Sequence, residues 1–372
     1  MLGVEILHSD HNSELSPENH YTRMMIWRPL LRFIRTHTLL LHVTNTSNKF
    51  RIQPYLALRV TTISVLLFLF ILFINQDSDE HETIFVTQRP FFVKREDLQF
   101  LRNQEKCTNE TFLMIYIHSK PDNAERRRMI RNTWGSRDIL EKHHARLIFV
   151  TGEVADENLQ IFLDFENELH KDIIQVNFID SYRNLTYKAI SGLKWVTENC
   201  QNATFVLKTD DDIIVDINTV VTLMMSDNDN RWQKTNLLAC HIWKHMDVDR
   251  NKSSKWYTSY DEYPDDFYLS YCSGSAFIMS YDVVKKFYLK SHETPFFWVD
   301  DYYVTGMLAL ATNVTPVPLN ERYSVLKTAD LRKELPSNAS LTFIHSPDTN
   351  TSSYVWQNYL GRKGQTLKKQ TM

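Results

Sequence analysis

After residue 106 the chain alternates short apolar runs with segments of helical period. The apolar runs are rich in β-branched and aromatic residues, as buried strands are, and they lie at 111–118, 145–151, 172–179 and 204–207. Segment 182–200 places Leu185, Ala189, Leu193 and Val196 on one face of a helix. Strands that alternate with helices predict an α/β fold with a mainly parallel, right-handed sheet.

One long apolar segment, 56–75, stands apart from this pattern. Every Lys, Arg, Asp or Glu between residues 23 and 59 is basic, whereas four acidic residues lie between 77 and 82. Roughly 20 apolar residues cross a bilayer, and basic flanks stay on the cytosolic side. We expect a cytosolic tail over 1–55, a transmembrane signal-anchor helix over 56–75 and a lumenal remainder. A cleaved signal peptide would begin near Met1 and end in small residues, which this segment does not do.

Cysteines and glycosylation triplets all favour a lumenal location for the rest of the chain. The four cysteines, Cys107, Cys200, Cys240 and Cys272, permit two disulfides, with free buried thiols as the alternative. Their pairing stays open at this point. Seven Asn-x-Ser/Thr triplets, which are typical of exposed lumenal loops, begin after the apolar segment, at Asn109, Asn184, Asn202, Asn251, Asn313, Asn338 and Asn350. An eighth, at Asn45, lies on the predicted cytosolic side.

The region between the apolar segment and the first cysteine, 76–106, is polar and has no sustained period. Such a segment is typical of a stem that holds a domain away from a membrane. The folded lumenal domain is then expected over 107–372. A chain of 372 residues with 43% hydrophobic residues can build a sizeable core, and its net charge of −3 argues against nucleic acid as a partner.

An acidic triplet, Asp210-Asp211-Asp212, follows Lys208-Thr209 directly after the predicted strand 204–207. Carboxylates this close together repel one another unless a cation or donors compensate. In extended backbone Asp210 and Asp212 share one face, and oxygen ligands favour Mn²⁺ or Mg²⁺ over Zn²⁺. Since α/β sheets bind ligands at the ends of parallel strands, a metal site is favoured. The alternative is a solvated acidic turn.

A second acidic pair, Asp300-Asp301, lies among aromatic residues. Such surroundings raise the pKa of a carboxyl group toward the range of a general base. The pair also suits the N-terminus of a helix, because acidic residues interact favourably with the helix dipole. The apolar residues 307–311 would continue that helix, so the two interpretations are compatible.

Basic and aromatic clusters add further candidates. Four arginines lie within 126–131, and guanidinium groups suit a diphosphate, with a solvated basic helix as the alternative. Aromatic residues between Trp256 and Tyr271 suit the apolar face of a sugar, although core packing accounts for them equally well.

Six motifs occur in order between 107 and about 345. They are Arg127-x-x-Ile130-Arg131-x-Thr133-Trp134-Gly135; Asp180-Ser181-Tyr182-Arg183-Asn184-Leu185-Thr186-x-Lys188; Lys208-Thr209-Asp210-Asp211-Asp212; Lys255-Trp256-Tyr257 followed by Tyr263-Pro264; Tyr271-Cys272-Ser273-Gly274; and Asp300-Asp301 followed by Gly306. Together they resemble the family of β-1,3-galactosyltransferases and β-1,3-N-acetylglucosaminyltransferases, which are inverting, type II Golgi enzymes that use UDP-sugars.

The resemblance implies a GT-A type fold, in which a Rossmann-like mixed sheet is flanked by helices. It implies transfer of galactose, N-acetylglucosamine or N-acetylgalactosamine from a UDP-sugar to a glycan acceptor on protein or lipid, in β-1,3 linkage and in the Golgi membrane. Asp301 would be the catalytic base, and Asp210, Asp212 and His345 would bind Mn²⁺ or Mg²⁺. The substrate-binding residues expected are Arg127, Arg131, Trp134, Lys188, Asp210, Asp211, Trp256, Gly274 and Asp300.

Two departures from the family motifs motivate a second hypothesis. Ala276-Phe277 stands where the family usually has Gly-Tyr, and Asp300 stands where it usually has Glu. The alternative function is therefore a membrane-anchored carbohydrate-binding protein or an inactive homologue. A third hypothesis, a lumenal metal-dependent phosphodiesterase, is weaker because the chain has no His-rich ligand set. The donor sugar, the acceptor and the oligomeric state, a homo-oligomer included, stay open.

Overall fold

The computed structural model describes residues 91–226, 231–324 and 341–360. All of these belong to one compact unit, Thr87–Met372. The predicted tail 1–55, the predicted span 56–75 and Asn338 lie outside the described residues. Within the described ranges, no helix has both the length and the apolar character needed to cross a membrane.

Two sheets organise the described residues. The strands are β1 (Phe100–Arg102), β2 (Leu113–His118), β3 (Ala145–Glu153), β4 (Ile173–Ile179), β5 (Phe205–Asp210), β6 (Ile213–Val215), β7 (Leu238–Trp243), β8 (Tyr271–Ser280), β9 (Val317–Pro318), β10 (Tyr323–Ser324) and β11 (Phe343–His345). The larger sheet has the order β1-β4-β3-β2-β5-β8-β7-β9, and the smaller one has the order β10-β11-β6.

Helices connect these strands. They are α1 (Ala124–Arg131), α2 (Arg137–Lys142), α3 (Glu157–His170), α4 (Leu185–Asn199), α5 (Ile217–Met224), α6 (Tyr281–Ser291), α7 (Asp300–Tyr302), α8 (Ala309–Ala311) and α9 (Thr349–Val355). Short 3₁₀ turns span Arg95–Asp97, Tyr182–Asn184 and Asn320–Arg322. π-Helical turns span Tyr303–Leu308, between α7 and α8, and Trp356–Leu360 after α9.

The longest parallel block of the larger sheet consists of four central strands. Strands β4, β3, β2 and β5 are parallel neighbours, as their alternation with helices predicts. Beyond β5, strand β8 runs antiparallel to it and β7 runs antiparallel to β8. The sheet is thus mixed, and the antiparallel half brings Gly274 of β8 beside the end of β5, where the acidic triplet begins.

Alternating side chains of the central strands pack into two cores. On β2, Met114 and Tyr116 join one core with residues of α4 and α6, whereas Leu113, Ile115 and Ile117 join the other with residues of α1 and α5. Successive side chains of a strand point to opposite faces of the sheet, and helices cover both faces here. The parallel strands are therefore apolar almost throughout. The polar residues that break this pattern lie at the strand ends, and they form the site described below.

The segment predicted as a stem contributes to the folded unit from residue 91 onward. Val93 and Leu98 are buried in a core, and β1 pairs with β4. The domain boundary therefore lies N-terminal to the predicted residue 107. The apolar residues of this segment, in Phe91-Phe92-Val93 and Leu98-Gln99-Phe100-Leu101, are separated by Lys94-Arg95-Glu96-Asp97, so no sustained period in the sequence marks them.

Two disulfides settle the pairing that the sequence leaves open. Cys107 bonds to Cys200 and Cys240 bonds to Cys272. The first joins the segment before β2 to the end of α4, and the second joins β7 to β8. All four cysteines of the chain are thus used.

Candidate active site

The parallel pairing of β2 with β5 places two polar side chains opposite each other at the ends of these strands. His118, the last residue of β2, is the register partner of Asp210, the last residue of β5. Its Nδ1 atom lies 3.9 Å from Asp210 Oδ1 and 3.7 Å from Asp300 Oδ2. The buried Nε2 atom of His118 has no hydrogen-bond partner among the described residues. Burial lowers the pKa of this imidazole, so a neutral ring lies between the two carboxylates.

Lys208 crosses from β5 to β8 beneath the acidic groups. Its ammonium group, which is almost fully buried, donates to Asp210 Oδ1 at 2.7 Å and to the carbonyl of Gly274 at 2.5 Å. Burial lowers the pKa of Lys208, but the charges of Asp210 and Asp300 raise it above its ordinary value overall. A permanent positive charge therefore offsets part of the carboxylate repulsion at this site.

Asp301 is fixed by backbone donors from two elements. Its Oδ1 atom accepts a hydrogen bond from the N–H of Tyr302 at 2.8 Å, and its Oδ2 atom accepts one from the N–H of Gly274 at 3.3 Å. Burial raises the pKa of Asp301 to about 7, and the negative charge of Asp300 acts in the same direction. This carboxyl group has the pKa that a general base needs at neutral pH.

Gly274 allows this close approach because it has no side chain. A Cβ atom at Gly274 would lie 3.0 Å from the Cβ of Asp301 and 3.3 Å from its Oδ2. Thr305 supports Asp301 from the other side. Its buried hydroxyl donates to the Asp301 carbonyl at 2.6 Å and accepts from the N–H of Cys272 at 2.9 Å.

His345 reaches the acidic triplet through the smaller sheet. Strand β11 pairs antiparallel with β6 in a register that sets His345 opposite Ile213, the residue after Asp212. The Nε2 atom of His345 lies 3.6 Å from Asp212 Oδ2. Burial alone would raise the pKa of Asp212, but His345 lowers it below its ordinary value, and Asp212 in turn raises the pKa of His345.

Asp210, Asp212 and His345 have the chemistry of ligands for a small divalent cation. Carboxylates suit Mn²⁺ and Mg²⁺, and imidazole is accepted by many transition metals. Donors that bind one such ion at about 2.1 Å lie roughly 3 to 4 Å apart, as Asp212 and His345 do. In the part of the chain that is described, however, no three His, Cys, Asp or Glu side chains are grouped closely enough to hold an ion. All three residues are therefore of a suitable ligand type for a cation. The spacing is suitable between Asp212 and His345.

Asp211 points away from the other two carboxylates, toward the loop between β2 and α1. Its Oδ2 atom accepts hydrogen bonds from Ser119 Oγ and Asn123 Nδ2, both at 2.8 Å. Arg126 lies 3.9 Å from the other oxygen of Asp211 and donates to the carbonyls of Ser346 and Pro347, directly after His345. This network links the triplet to β11.

Arg127 and Arg131 lie in an ion-pair cluster between α1 and α3. The fully buried Arg127 uses all five N–H groups, two of them on Glu166. Arg131 donates to Glu166 at 2.7 Å and to Asp172 at 2.8 Å. The contacts of both arginines with a diphosphate stay predictions. To make them, the arginines would have to use N–H groups that now bind carboxylates and carbonyls.

Two more predicted substrate contacts are buried. Trp134 is 2% exposed and belongs to a core. Lys188 is 1% exposed, and its ammonium group bonds to Asp180 at 2.8 Å and to the carbonyl of Ser119 at 2.8 Å. Lys188 holds the chain directly after β2 in place, whereas Trp134 belongs to the core, and the predicted substrate contacts of both stay predictions.

Trp256 is the exposed aromatic residue among the predictions, with 54% of its surface accessible. The ammonium group of Lys255 lies 4.4 Å from its ring centre and 5.5 Å from that of Tyr182. Burial raises the pKa of Tyr182 to about 12, with help from the charges of Asp300 and Asp301. An open aromatic surface thus lies on the same side of the domain as the acidic pair, whereas Tyr263, Tyr268, Tyr271 and Tyr302 form part of a core cluster.

Most predicted glycosylation sites lie on the surface. Asn184 is half-buried, and its Nδ2 atom donates to the carbonyl of Ile179. The exposed acceptor asparagines are Asn109, Asn202, Asn251, Asn313 and Asn350. Their exposure is compatible with glycosylation. That these asparagines carry glycans stays a prediction.

The family model described as Galactosyltransferase matches residues 125–320, a range that includes the acidic triplet and Asp301. The chain belongs to the galactosyltransferase family. As a member of that family it is a glycosyltransferase.

Two curated relatives illustrate the similarity. UDP-GalNAc:beta-1,3-N-acetylgalactosaminyltransferase 1 of Rattus norvegicus is 34% identical over 216 residues, which are 56% of this chain and 64% of the relative. Beta-1,3-galactosyltransferase 5 of Mus musculus is 32% identical over 248 residues, which are 64% of this chain and 79% of the relative. The match thus spans just under two thirds of the first relative's length.

Among solved structures, a glycosyltransferase involved in the glycosylation of the major capsid of PBCV-1 gives a TM-score of 0.38 at 10% identity. That comparison covers 66% of this galactosyltransferase-family chain and 98% of the other chain.

Sequence reasoning missed three residues that the structure places at the site. His118 and Lys208 lie on the same face of the sheet as Asp210, and Thr305 holds the backbone of Asp301. A signal existed for His118, because a polar residue ends an otherwise apolar strand that neighbours β5. The role of Thr305 depends on a contact between distant segments, which no local pattern indicates.

Proposed function

We propose that this glycosyltransferase moves a hexose from a UDP-sugar to a glycan hydroxyl with inversion, in β-1,3 linkage. The observation that carries the proposal is Asp301, a carboxyl group with a pKa near 7 that is fixed by two N–H donors beside the Asp210–Lys208 pair. The names of the two relatives supply the β-1,3 linkage, and one of them names UDP-GalNAc as donor. Galactose, N-acetylglucosamine and N-acetylgalactosamine are the candidate sugars.

The chain's residues would divide the work between two groups at the strand ends. Asp210, Asp212 and His345 are the residues that would hold Mn²⁺ or Mg²⁺, and such a cation would supply positive charge to stabilise the leaving diphosphate. Lys208 keeps Asp210 in position from below. Asp300, whose carboxylate lies near His118, and the exposed Trp256 would orient the sugars.

Asp301 would act on the acceptor. Its ionised carboxylate takes the proton of the attacking hydroxyl as that oxygen bonds to the anomeric carbon. The bond from this carbon to the UDP oxygen breaks, its electron pair leaves with UDP, and the configuration inverts. General-base assistance of this kind is worth about 10²- to 10⁴-fold in rate.

The proposed location is the Golgi lumen, with a type II anchor at 56–75 and a GT-A type organisation of the domain. Two disulfides among the four cysteines support an oxidising compartment. Exposed Asn-x-Ser/Thr acceptors agree with it.

UDP release by the purified full-length chain tests the proposal. Each of UDP-galactose, UDP-N-acetylglucosamine, UDP-N-acetylgalactosamine and UDP-glucose is offered with a panel of glycan acceptors, in Mn²⁺ or in EDTA. We expect release with one donor, lost in EDTA and in the Asp212→Ala and Asp301→Asn variants. Asp138→Asn, an exposed carboxylate on α2, is the control that keeps activity.

The alternative function predicts a different result. A carbohydrate-binding protein would retain glycans in EDTA and after Asp301→Asn, with no UDP release from any donor. The structure weakens one motive for this alternative, because Ala276 and Phe277 are buried within β8 and the change from Gly-Tyr falls in the core.

A further inference from the structure

The outward face of α3 is unusually apolar for a helix surface. Ile161, Phe162, Phe165 and Leu169 are 63%, 71%, 72% and 67% exposed. Ile161, Phe165 and Leu169 repeat every four residues and form one ridge, with Phe162 beside it. Single exposed apolar residues are ordinary, but a contiguous group of four marks an interaction surface. We call these four residues the α3 stripe.

A cavity of about 280 Å³ opens next to the stripe, between α1 and α3. Phe162, Leu159 and Ala124 contribute its apolar wall, and the Arg131–Glu166 pair contributes its polar wall. Cavities of about 150 Å³ bind benzene, so this one accommodates a phenyl group. Phe165 is outside the lining of this cavity and is exposed on the ridge, so the face carries both an aromatic projection and a recess large enough to hold one.

The border of this face is close to electrically neutral. Asp164 pairs with Arg102 at 2.5 Å, and Glu168 pairs with Lys171 at 2.7 Å. At the cavity side, Glu125 pairs with Arg128 at 2.5 Å. A two-fold contact sets each patch against its own copy, which a strongly charged border would oppose by like-charge repulsion. Binding to an anionic lipid surface would instead need an excess of basic residues at the border.

We propose that the α3 stripe is the contact surface for a second copy of this chain. Two α3 helices pack across a two-fold axis through the Ile161–Phe165–Leu169 ridge, and Phe165 of each chain enters the cavity beside Phe162 of the other. The four stripe residues include none of the predicted site residues, whereas Arg127 and Arg131, the predicted diphosphate contacts, line the adjoining cavity. The proposed contact does not rest on the transferase chemistry.

Introduced cysteines test this arrangement in the full-length chain. All four native cysteines form disulfides, so a new cysteine supplies the reactive thiol. Ile161→Cys, Phe165→Cys and Leu169→Cys are compared with Leu289→Cys, an equally apolar residue on α6 that is 54% exposed. After mild oxidation, non-reducing electrophoresis should show a dimer for the stripe variant nearest the axis and a monomer for Leu289→Cys. Equal cross-linking of all four variants would overturn the proposal.

Mass measurement by light scattering gives a second readout. The wild-type chain should have the mass of two copies, and Phe165→Asp should have the mass of one while its thermal unfolding stays cooperative. Leu289→Asp should remain dimeric. A monomeric wild type, or a dimer that survives Phe165→Asp, contradicts the contact. A monomer that binds phosphatidylcholine vesicles through Phe165 would assign the stripe to a lipid surface instead.

Discussion

At the residue scale, the chemistry depends on how the carboxylates are separated. Asp211 accepts a hydrogen bond from the β2–α1 loop, Asp212 lies beside His345, and Asp210 forms an ion pair with Lys208. Asp301 receives two backbone N–H donors and, among the described residues, no hydrogen bond from a basic side chain, and burial is the main cause of its raised pKa. Burial also raises the pKa of Asp210 to about 7, so Asp210 and Asp301 differ in their partners rather than in the pH range of their titration.

The first prediction concerns pH. Because Asp301 must be ionised to accept a proton, kcat/KM should fall about tenfold per pH unit below a midpoint near 7 and level off above it. In Asp300→Asn the neighbouring negative charge is lost, so the pKa of Asp301 falls and the midpoint moves to lower pH. Initial rates from pH 5.5 to 8.5 measure both curves. An unmoved midpoint in Asp300→Asn would contradict this assignment. Because burial and the charge of Asp300 also raise the pKa of Asp210 to about 7, the profile is repeated in Asp210→Asn, and its residual activity should keep the midpoint if Asp301 is the titrating group.

The second prediction concerns Thr305, which positions the Asp301 backbone and touches no substrate. Thr305→Val keeps the shape of the side chain but leaves the N–H of Cys272 and the carbonyl of Asp301 without this partner. We expect kcat to fall by about tenfold or more with KM for the donor little changed, since a small misplacement of a base is costly. Thr305→Ser, which retains the hydroxyl, should recover most of the loss. Equal rates for the Val and Ser variants would contradict this role.

At the element scale, short pairings place residues that the sequence keeps far apart. Strand β11 has three residues, yet its register against β6 brings His345 to Asp212 across more than a hundred positions. The helix predicted to begin at Asp300 is present, and it includes the π-helical turn Tyr303–Leu308 between α7 and α8. Such turns are frequent at functional sites, and this one contains Thr305.

The third prediction separates a buried ion pair from an exposed one on α3. Although burial raises the pKa of Glu166, its bonds to Arg127 and Arg131 lower it below its ordinary value. Glu166→Gln leaves the buried Arg127 without its charge partner and leaves Arg131 with Asp172 alone, so the free energy of unfolding should fall by about 3 kcal/mol. Glu168→Gln breaks an exposed pair with Lys171 and should cost less than about 1 kcal/mol.

Urea denaturation at neutral pH measures this difference. The contribution of Glu166 is fully present above its ordinary pKa and is lost as pH falls toward its lowered folded pKa, so the two variants should converge in acid. Equal losses for both variants at neutral pH would show that the cluster is not structural. A change in donor KM for folded Glu166→Gln would instead support the predicted diphosphate contact of the arginines.

At the scale of the whole molecule, the two disulfides close loops of different length around different regions. Cys107–Cys200 closes 93 residues and ties the N-terminal segment to α4, whereas Cys240–Cys272 closes 32 residues beside Gly274. Cross-links stabilise chiefly by restricting the unfolded chain, and longer loops gain more. The second disulfide also fixes the strand that carries a donor to Asp301.

The fourth prediction uses paired substitutions. Cys107→Ser with Cys200→Ser should lower the free energy of unfolding by about 4 to 5 kcal/mol and leave the activity of the folded fraction unchanged. Cys240→Ser with Cys272→Ser should cost about 3 to 4 kcal/mol and should also lower kcat. Thermal unfolding and UDP release measured on the same samples test both parts. If kcat fell in the Cys107/Cys200 variant and not in the Cys240/Cys272 variant, the first disulfide would be the one that supports the active site.

The local sequence determined the parallel strands, the α4 helix and the acidic residues at the strand ends, because period and burial act over a few neighbouring positions. The sequence also indicated the family, because the six motifs occur in order along the chain, and the family model confirms it. Only the tertiary structure decided the antiparallel half of the sheet, the disulfide pairing and the burial of Arg127, Trp134 and Lys188. These depend on contacts between distant segments, whose energies come from packing and desolvation rather than from any local pattern.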